Sequence, residues 1–189
     1  MVLVVDPVQG NGGRYVPQRG PNDFADAGYC GHSFNQGLIR FHDSETGPMY
    51  RDAVFSAFPE LKRMDRKADV LAFDWQGCQY LTASLRGERE LMVLKADIGF
   101  GQLEPLAPIS ALAAILKAPD TARYFYGDRF DEWRALVGRP ESQLGFTDCI
   151  DFQTPIFLGG ADEAENMALT DMDVAWTIGG QLLAQARSR

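Results

Sequence analysis

The sequence predicts an α+β fold in which an antiparallel meander sheet packs against several helices, with a long helix near the C-terminal end. Three observations predict this class. Three strand-like apolar runs follow one another between residues 69 and 96 with only short links between them. Apolar residues at helical spacing dominate the chain on both sides of these runs. A chain of 189 residues is also long enough to bury a core without help from a disulfide or a metal.

The first 36 residues differ from the rest of the chain. They are rich in glycine and proline, so we expect irregular backbone with at most a short strand at Val2–Val5, followed by one α+β domain over residues 37–189. The glycines after that strand partly match a dinucleotide-binding loop. Such a loop leads directly into a helix, which Pro17 and Pro21 would break, so the pattern does not indicate a nucleotide site.

The predicted sheet begins with a short strand over residues 37–42. A helix over residues 48–58 follows, and Pro59 would end it. The links between the next apolar runs are short and contain Gly77 and Gly87, which favours antiparallel pairing of strands that are neighbours along the chain. The later predicted strands cover residues 69–75, 78–84, 90–96 and 101–106.

Two helices are predicted next, over residues 108–117 and 120–137. In the second helix, aromatic and apolar residues recur at spacings of three and four. We expect this face to pack against the sheet as part of the core. Its members are Tyr126, Phe130, Trp133 and Val137. The stretch from there to Leu158 is mixed and gives no clear period.

The last helix is the clearest predicted element. The Thr170 side chain can accept the Asp173 amide while Asp173 reaches back, a reciprocal cap at the first turn. At the other end the helix dipole favours the cations Arg187 and Arg189. The predicted buried stripe consists of Val174, Ile178 and Leu182, with Ala175 and Leu183 beside them.

The cysteine content and the lack of long apolar segments indicate the compartment in which the protein is found. The three cysteines, Cys30, Cys78 and Cys149, are an odd number spread along the chain, which fits a reducing compartment better than a disulfide framework. The start lacks the pattern of a secretory signal and no apolar run is long enough to cross a bilayer, so we expect a cytoplasmic protein that does not contact membranes.

The charge balance is informative about partners. Acidic residues number 26 and basic residues 18, which gives a net charge of -8 and a pI near 4.7. This is the opposite of the basic surface that nucleic-acid binding needs. An acidic surface instead speeds the encounter with a basic protein partner.

No pattern of residues indicates catalysis or a metal site. The cysteines and histidines lack the closely spaced pairs of a structural zinc site. A calcium loop starting at Asp162 would need an oxygen ligand where Ala164 stands and a glycine where Met167 stands. We therefore expect no cofactor and no metal. Two of the 26 acidic residues could still meet as a catalytic pair in the fold, so a small hydrolase stays open as an alternative.

One acidic run stands out, because residues 157–176 contain five carboxylates and no lysine, arginine or histidine. Asp171 and Asp173 are explained by the start of the last helix, where negative charge is favourable. Asp162, Glu163 and Glu165 have no such explanation. They are our candidate partner-binding residues.

Residues 155–185 resemble the closing signature of bacterial immunity proteins that protect against type VI secretion DNase effectors, a family with a C-terminal immunity domain and a GAD-like N-terminal part. Shorter blocks at 37–42, 57–61 and 73–80 resemble earlier parts of that family in the same order. The matching positions of the closing signature are Pro155, Phe157–Gly160, Asn166, Asp171, Val174, Trp176 and Gly180–Leu182.

The resemblance implies a non-enzymatic, cytoplasmic immunity protein that binds and neutralises a cognate nuclease toxin and does not itself contact nucleic acid. The charge balance agrees with this, since a DNase attracts the phosphate backbone with a basic surface that an acidic inhibitor can cover. A small hydrolase of unknown substrate and a non-catalytic regulatory or scaffold module are the alternatives.

Overall fold

The computed structural model describes residues 2–19, 28–139 and 142–188. Residues 20–27 of the glycine-rich segment, with Pro21, and Arg189 of the predicted helix end lie outside the described residues. The centre of the fold is a six-stranded antiparallel sheet in which every strand pairs with its neighbour along the chain. Its strands are β1 (Ser33–Phe34), β2 (Ile39–Phe41), β3 (Asp69–Asp74), β4 (Gln79–Ala83), β5 (Met92–Asp97) and β6 (Gln102–Pro108). The predicted meander is confirmed.

A second, two-stranded antiparallel sheet and six helices complete the described chain, so the α+β class is confirmed. The small sheet pairs β7 (Asp148–Phe152) with β8 (Met167–Asp171), and two short 3-10 turns lie between them at Ile156–Leu158 and Ala164–Asn166. The helices are α1 (Thr46–Ala57), α2 (Leu61–Met64), α3 (Ile109–Lys117), α4 (Thr121–Tyr124), α5 (Gly127–Leu136) and α6 (Met172–Arg187). The predicted long C-terminal helix is α6.

The large sheet separates two apolar layers. Successive side chains of a strand point to opposite faces. Tyr80 and Val93 therefore pack with α3 and α5, whereas Leu81 and Leu94 pack with α1 and α6. Both faces of the sheet are covered, which explains why β3 and β4 are buried along their whole length.

The Asp6 carboxylate fastens the start of the chain to the β1–β2 turn. It accepts hydrogen bonds from the backbone amides of Gln36 (2.6 Å) and Gly37 (2.9 Å) and from the Ser33 hydroxyl (2.6 Å). Asn35 and Gln36 both have positive φ, at 53° and 64°, which turns successive amides toward one anion. The carboxylate thus stabilises a turn that would otherwise be strained.

The predicted helix over residues 120–137 is two helices. Tyr126 has a left-handed backbone, with φ at 54°, and separates α4 from α5. Phe130 and Trp133 are buried in the core as predicted, but Tyr126 and Val137 are 55% and 41% exposed. Helical spacing was preserved across the break, so the sequence pattern could not reveal it.

The predicted buried stripe of α6 is wrong in part. Val174 and Ile178 are 47% and 53% exposed, and Leu182 is half-buried. The helix is apolar on two sides, and the side that carries Trp176 faces the core. There the Trp176 indole donates to the Gly77 carbonyl at 2.9 Å. The residues that face the core are Met172, Ala175, Trp176, Gly179 and Leu183.

The predicted cap of this helix is also corrected. The Asp171 side chain, not that of Thr170, accepts the Asp173 amide at 2.8 Å. Thr170 belongs to β8, where it pairs with Cys149. At the other end of α6, Arg187 lies in the last turn, where the dipole favours a cation.

A buried arginine joins the two sheets. Arg40 of β2 has no solvent exposure, and its guanidinium donates to the Asp74 carbonyl at 2.9 Å on one side. On the other side it donates to the carbonyls of Gly145 (2.9 Å), Phe146 (3.1 Å) and Asp148. Burial lowers the pKa of Arg40 to about 10, so the group stays charged at neutral pH. The start of β7 is thereby held against the end of β3.

Replacing Arg40 tests this joint. Arg40→Met leaves four carbonyls without this donor, one of them fully buried and three half-buried, so the free energy of unfolding should fall by about 3 kcal/mol or more in urea titrations. Arg51→Met is the control, because both guanidinium groups lie over a ring, that of Phe73 for Arg40 and that of Phe55 for Arg51, but the Arg51 side chain is 25% exposed. It should cost about 1 kcal/mol or less. Equal losses for the two variants would contradict the role of Arg40.

Candidate functional site

The three predicted contact residues lie on one loop, but the structure does not leave all three unpaired. We call residues 159–166, between β7 and β8, the acidic loop. Asp162 forms an ion pair with Arg129 of α5. Glu163 and Glu165 are exposed, and neither carboxylate has a cationic partner among the described residues. All three residues are exposed, but Asp162 is already paired.

The backbone of the acidic loop is fixed from within. The Asn166 amide donates to the carbonyls of Thr154 and Ala161, both at 2.8 Å, and its oxygen accepts the Thr154 amide at 3.0 Å. Gly160 lies so close to the Thr154 carbonyl that any Cβ would overlap it. The loop thus holds its shape through one side chain and one close backbone approach.

A polar cleft of about 210 Å³ opens beside the acidic loop. We call it the polar cleft; its floor comes from β5 and its rim from β6, α5 and the loop. Asp162 and Arg129 form part of the rim, together with Glu104, an exposed carboxylate with no cationic partner in the described chain. The acidic loop is therefore one wall of a concave site.

The floor of the polar cleft is a buried charge network. The Lys95 ammonium lies 3.0 Å from the Asp97 carboxylate. Burial opposes its charge, but the carboxyl groups of Asp74 and Asp97 favour it more strongly, so the pKa of Lys95 is raised. Asp74 is fully buried and accepts the Tyr80 hydroxyl at 2.8 Å. Burial raises the pKa of Asp74, against the opposing pull of Lys95.

The Tyr126 side chain covers this network on the side of the cleft. Its ring lies over the Lys95 ammonium, 5.4 Å from nitrogen to ring centre, at a distance typical of a cation–π contact. A left-handed backbone costs a tyrosine on the order of 1 kcal/mol or more. The break between α4 and α5 is what brings this ring out of the core and to the cleft.

The arrangement suits charge recognition better than covalent chemistry. Cys78 beneath the cleft is fully buried, and burial with Asp74 and Asp97 raises its pKa well above the usual range, so it is not a thiolate nucleophile. His42 is also buried; it contacts Gln79 at 2.7 Å, and burial lowers its pKa to about 4. Within residues 2–19, 28–139 and 142–188, no three metal-ligating side chains cluster as a metal site would require.

Several residues of the polar cleft were not predicted from the sequence. Lys95 and Asp97 stand two apart in an otherwise apolar strand, and this spacing places both on one face. That spacing was an available signal. No such signal connected Arg129 to Asp162, which lies 33 residues further along the chain.

The half-buried Asp151 carboxyl, close to Asp97, gives a pH-dependent prediction. Burial raises its pKa to about 6, and the nearby Asp97 carboxylate contributes to the rise. The fold favours the neutral form, so its stabilising effect is complete below the unfolded pKa of about 4 and is lost as the pH rises through 6. Asp151→Asn should raise the free energy of unfolding by about 1–3 kcal/mol at pH 7.5 and by much less below pH 4.

Thermal or urea unfolding across pH 3.5 to 8 measures this difference. The exposed Glu88→Gln is the control and should show no comparable pH dependence. A stabilisation by Asp151→Asn that stays constant over the whole range would contradict the raised pKa.

The comparisons with known proteins show the fold alone. No model of a known protein family matches the chain, and no curated protein matches its sequence. Among solved structures, the chain is similar to the crystal structure of Atu4351 from Agrobacterium tumefaciens, with a TM-score of 0.65 and 18% identity. The match covers 93% of this chain and 85% of that chain. Among the residues that the structure describes, no helix has both the length and the apolar character needed to span a membrane.

Proposed function

We propose that this protein is a cytoplasmic immunity protein that binds and neutralises a cognate nuclease toxin of a type VI secretion system. It acts as a stoichiometric protein inhibitor, not as an enzyme, and uses no cofactor. One observation carries the proposal: Glu163 and Glu165 are unpaired on a loop whose backbone Asn166 fixes. Asp162 has a positioning role in this account, because its carboxylate holds Arg129.

Electrostatic attraction explains why an acidic loop would bind a nuclease. A nuclease must attract a chain of phosphates, so its substrate surface is basic. Fixed carboxylates steer such a surface toward the inhibitor and suppress partners of the wrong charge. A loop that is already ordered loses little conformational entropy on binding, which favours affinity. The resemblance of residues 155–185 to the immunity family supports the same function.

The second candidate is a small hydrolase that uses the polar cleft. It is favoured by the shifted pKa values of Lys95 and Asp74 beneath the cleft, since such shifts concentrate at catalytic sites. Lys95 is already paired with Asp97, and Asp74 accepts the Tyr80 hydroxyl, so a structural role for this network is favoured over a catalytic one. Turnover of a small ester or amide that Asp97→Asn abolished would favour the hydrolase.

The first binding prediction concerns charge. The double variant Glu163→Gln/Glu165→Gln should lower the association rate constant with the nuclease encoded by the neighbouring gene about tenfold at low salt. Raising the salt concentration should reduce this difference. Surface plasmon resonance measures both. Glu88→Gln/Glu90→Gln is the matched control, because it removes the same charge from the exposed β4–β5 link. An association rate indifferent to salt and to the loop variant would contradict steering by the acidic loop.

The second binding prediction concerns loop rigidity. Asn166→Ala keeps every charge but removes three hydrogen bonds from the acidic loop. We expect about tenfold weaker affinity for the nuclease, with a nearly unchanged response to salt, because the partner must then order the loop. Isothermal titration calorimetry should report a larger entropic cost for the variant. Wild-type affinity in a variant whose loop exchanges its amide hydrogens faster would contradict preorganisation.

A further inference from the structure

The basic residues of this acidic protein are not spread evenly. Four of the six residues from 62 to 67 are basic, although the whole chain carries a net charge of -8. Two of them, Lys62 and Arg66, line a concavity of about 540 Å³ between α1 and α2, together with Arg51 of α1. We call this concavity the basic pocket, and it shares no residue with the acidic loop or the polar cleft. Its remaining lining residues are Asp52, Phe55 and Ser56.

The buried carboxylates near the basic pocket are engaged with other groups. Asp65 is paired with Arg19 at 2.9 Å. Asp69 accepts a backbone amide at 2.8 Å and a tyrosine hydroxyl at 2.5 Å. Lys62 and Arg66 are exposed, and neither has an acidic partner in the part of the chain that the structure describes. Since charges more than about 10 Å away are screened at physiological salt, the positive charge of these two residues dominates the potential at the pocket.

The third cation of the basic pocket is held in place. The Arg51 guanidinium lies over the Phe55 ring, 4.8 Å from its centre, and donates to the Arg66 carbonyl at 3.2 Å. Its ion-pair contacts are long, at 3.6 Å to Asp52 and 3.7 Å to Asp69. A guanidinium that is already ordered loses little conformational entropy when it binds an anion, and its planar donors match paired oxygens.

Two further residues determine which anions suit the basic pocket. Ser56 is exposed and adds a hydroxyl donor. Asp52 is the one carboxylate among the lining residues, and its side chain is 82% exposed, so it can turn toward solvent when an anion enters. Three cations and one carboxylate leave the pocket with a net charge of +2.

We propose that the basic pocket binds a doubly charged phosphate monoester of a small molecule. Arg51 donates to two phosphate oxygens, Lys62 and Arg66 pair with the remaining negative charge, and Ser56 donates a further hydrogen bond. A net charge of +2 complements a phosphate dianion better than a carboxylate with a single charge. The volume also leaves room for the organic part of the ester. This binding is separate from that of the acidic loop and does not rest on the proposed function.

Phenyl phosphate and phenyl sulfate test the charge requirement. The two esters have the same shape, but at pH 7.5 the phosphate carries close to two negative charges and the sulfate carries one. In NMR titrations of the whole chain at constant ionic strength, phenyl phosphate should shift the backbone amides of Ser56 and Arg66 with roughly millimolar affinity. Phenyl sulfate should bind about tenfold more weakly. Equal responses to the two esters, or no response to phenyl phosphate, would overturn the proposal.

Two double variants of the same basic segment locate the binding. Lys62→Gln/Arg66→Gln should weaken the affinity for phenyl phosphate about tenfold or more. Arg63→Gln/Lys67→Gln is the matched control, because it removes the same charge at two exposed positions that do not line the pocket. The control should change the affinity about twofold at most. Equal losses in the two variants would show attraction by the overall charge of the segment and would rule out a defined site.

The variant Asp52→Asn should have the opposite effect. It raises the net charge of the pocket from +2 to +3, so the affinity for phenyl phosphate should rise about threefold to tenfold. Asp52 is exposed, and circular dichroism checks that the variant keeps the fold. Weaker or unchanged binding by the folded variant would contradict a phosphate site at this position.

Discussion

The buried guanidinium of Arg40 is the interaction on which the rest of the structure depends. It takes carbonyl acceptors from the end of β3 and from the segment that leads into β7, so neither part can move without breaking charged hydrogen bonds in the interior. β7 in turn begins the hairpin that carries the acidic loop and leads into α6. Trp75 reinforces the same junction, because its indole donates to the Phe125 carbonyl at 2.9 Å and its own carbonyl accepts the Ile150 amide. The position of the acidic loop is therefore set by interior contacts far from solvent.

Charges below the surface and charges on it have different roles in this fold. The buried ones have polar partners, as Lys95 has in Asp97 and Arg40 has in backbone carbonyls. Several exposed ones are not paired, among them Glu163 and Glu165 on the loop and Asp120 and Asp128 on the far side of α5. A protein that needed only solubility could scatter such charges. Here Asp120 and Asp128 line a concavity beside α5, whereas Glu163 and Glu165 lie on the loop that reaches the rim of the polar cleft through Asp162.

The meander could be predicted because each strand pairs with the next strand along the chain. The signals for this pairing, alternating apolar residues and short links that contain glycine, lie within short stretches of sequence. β7 and β8 could not be predicted, since their pairing joins segments about 20 residues apart and each strand mixes polar and apolar residues. Helix α6 is apolar on two sides, so the sequence pattern did not determine which side faces the core. The side that carries Trp176 is buried, because its indole N–H needs a buried acceptor. Of the site, the sequence revealed the acidic loop but not that Asp162 is already paired, because Arg129 reaches it only through the tertiary fold.

In the proposed function, a preformed acidic surface inhibits a nuclease by occupancy, because it covers the basic surface that binds the substrate. Titrating the purified chain against a fixed amount of the nuclease encoded by the neighbouring gene, with cleavage of plasmid DNA as the readout, tests this most directly. We expect cleavage to stop near one equivalent and to return when the complex is dissociated in high salt and the separated nuclease is assayed again in low salt. Complete and irreversible loss of nuclease activity at a small fraction of an equivalent, or full cleavage at a large excess, would contradict it.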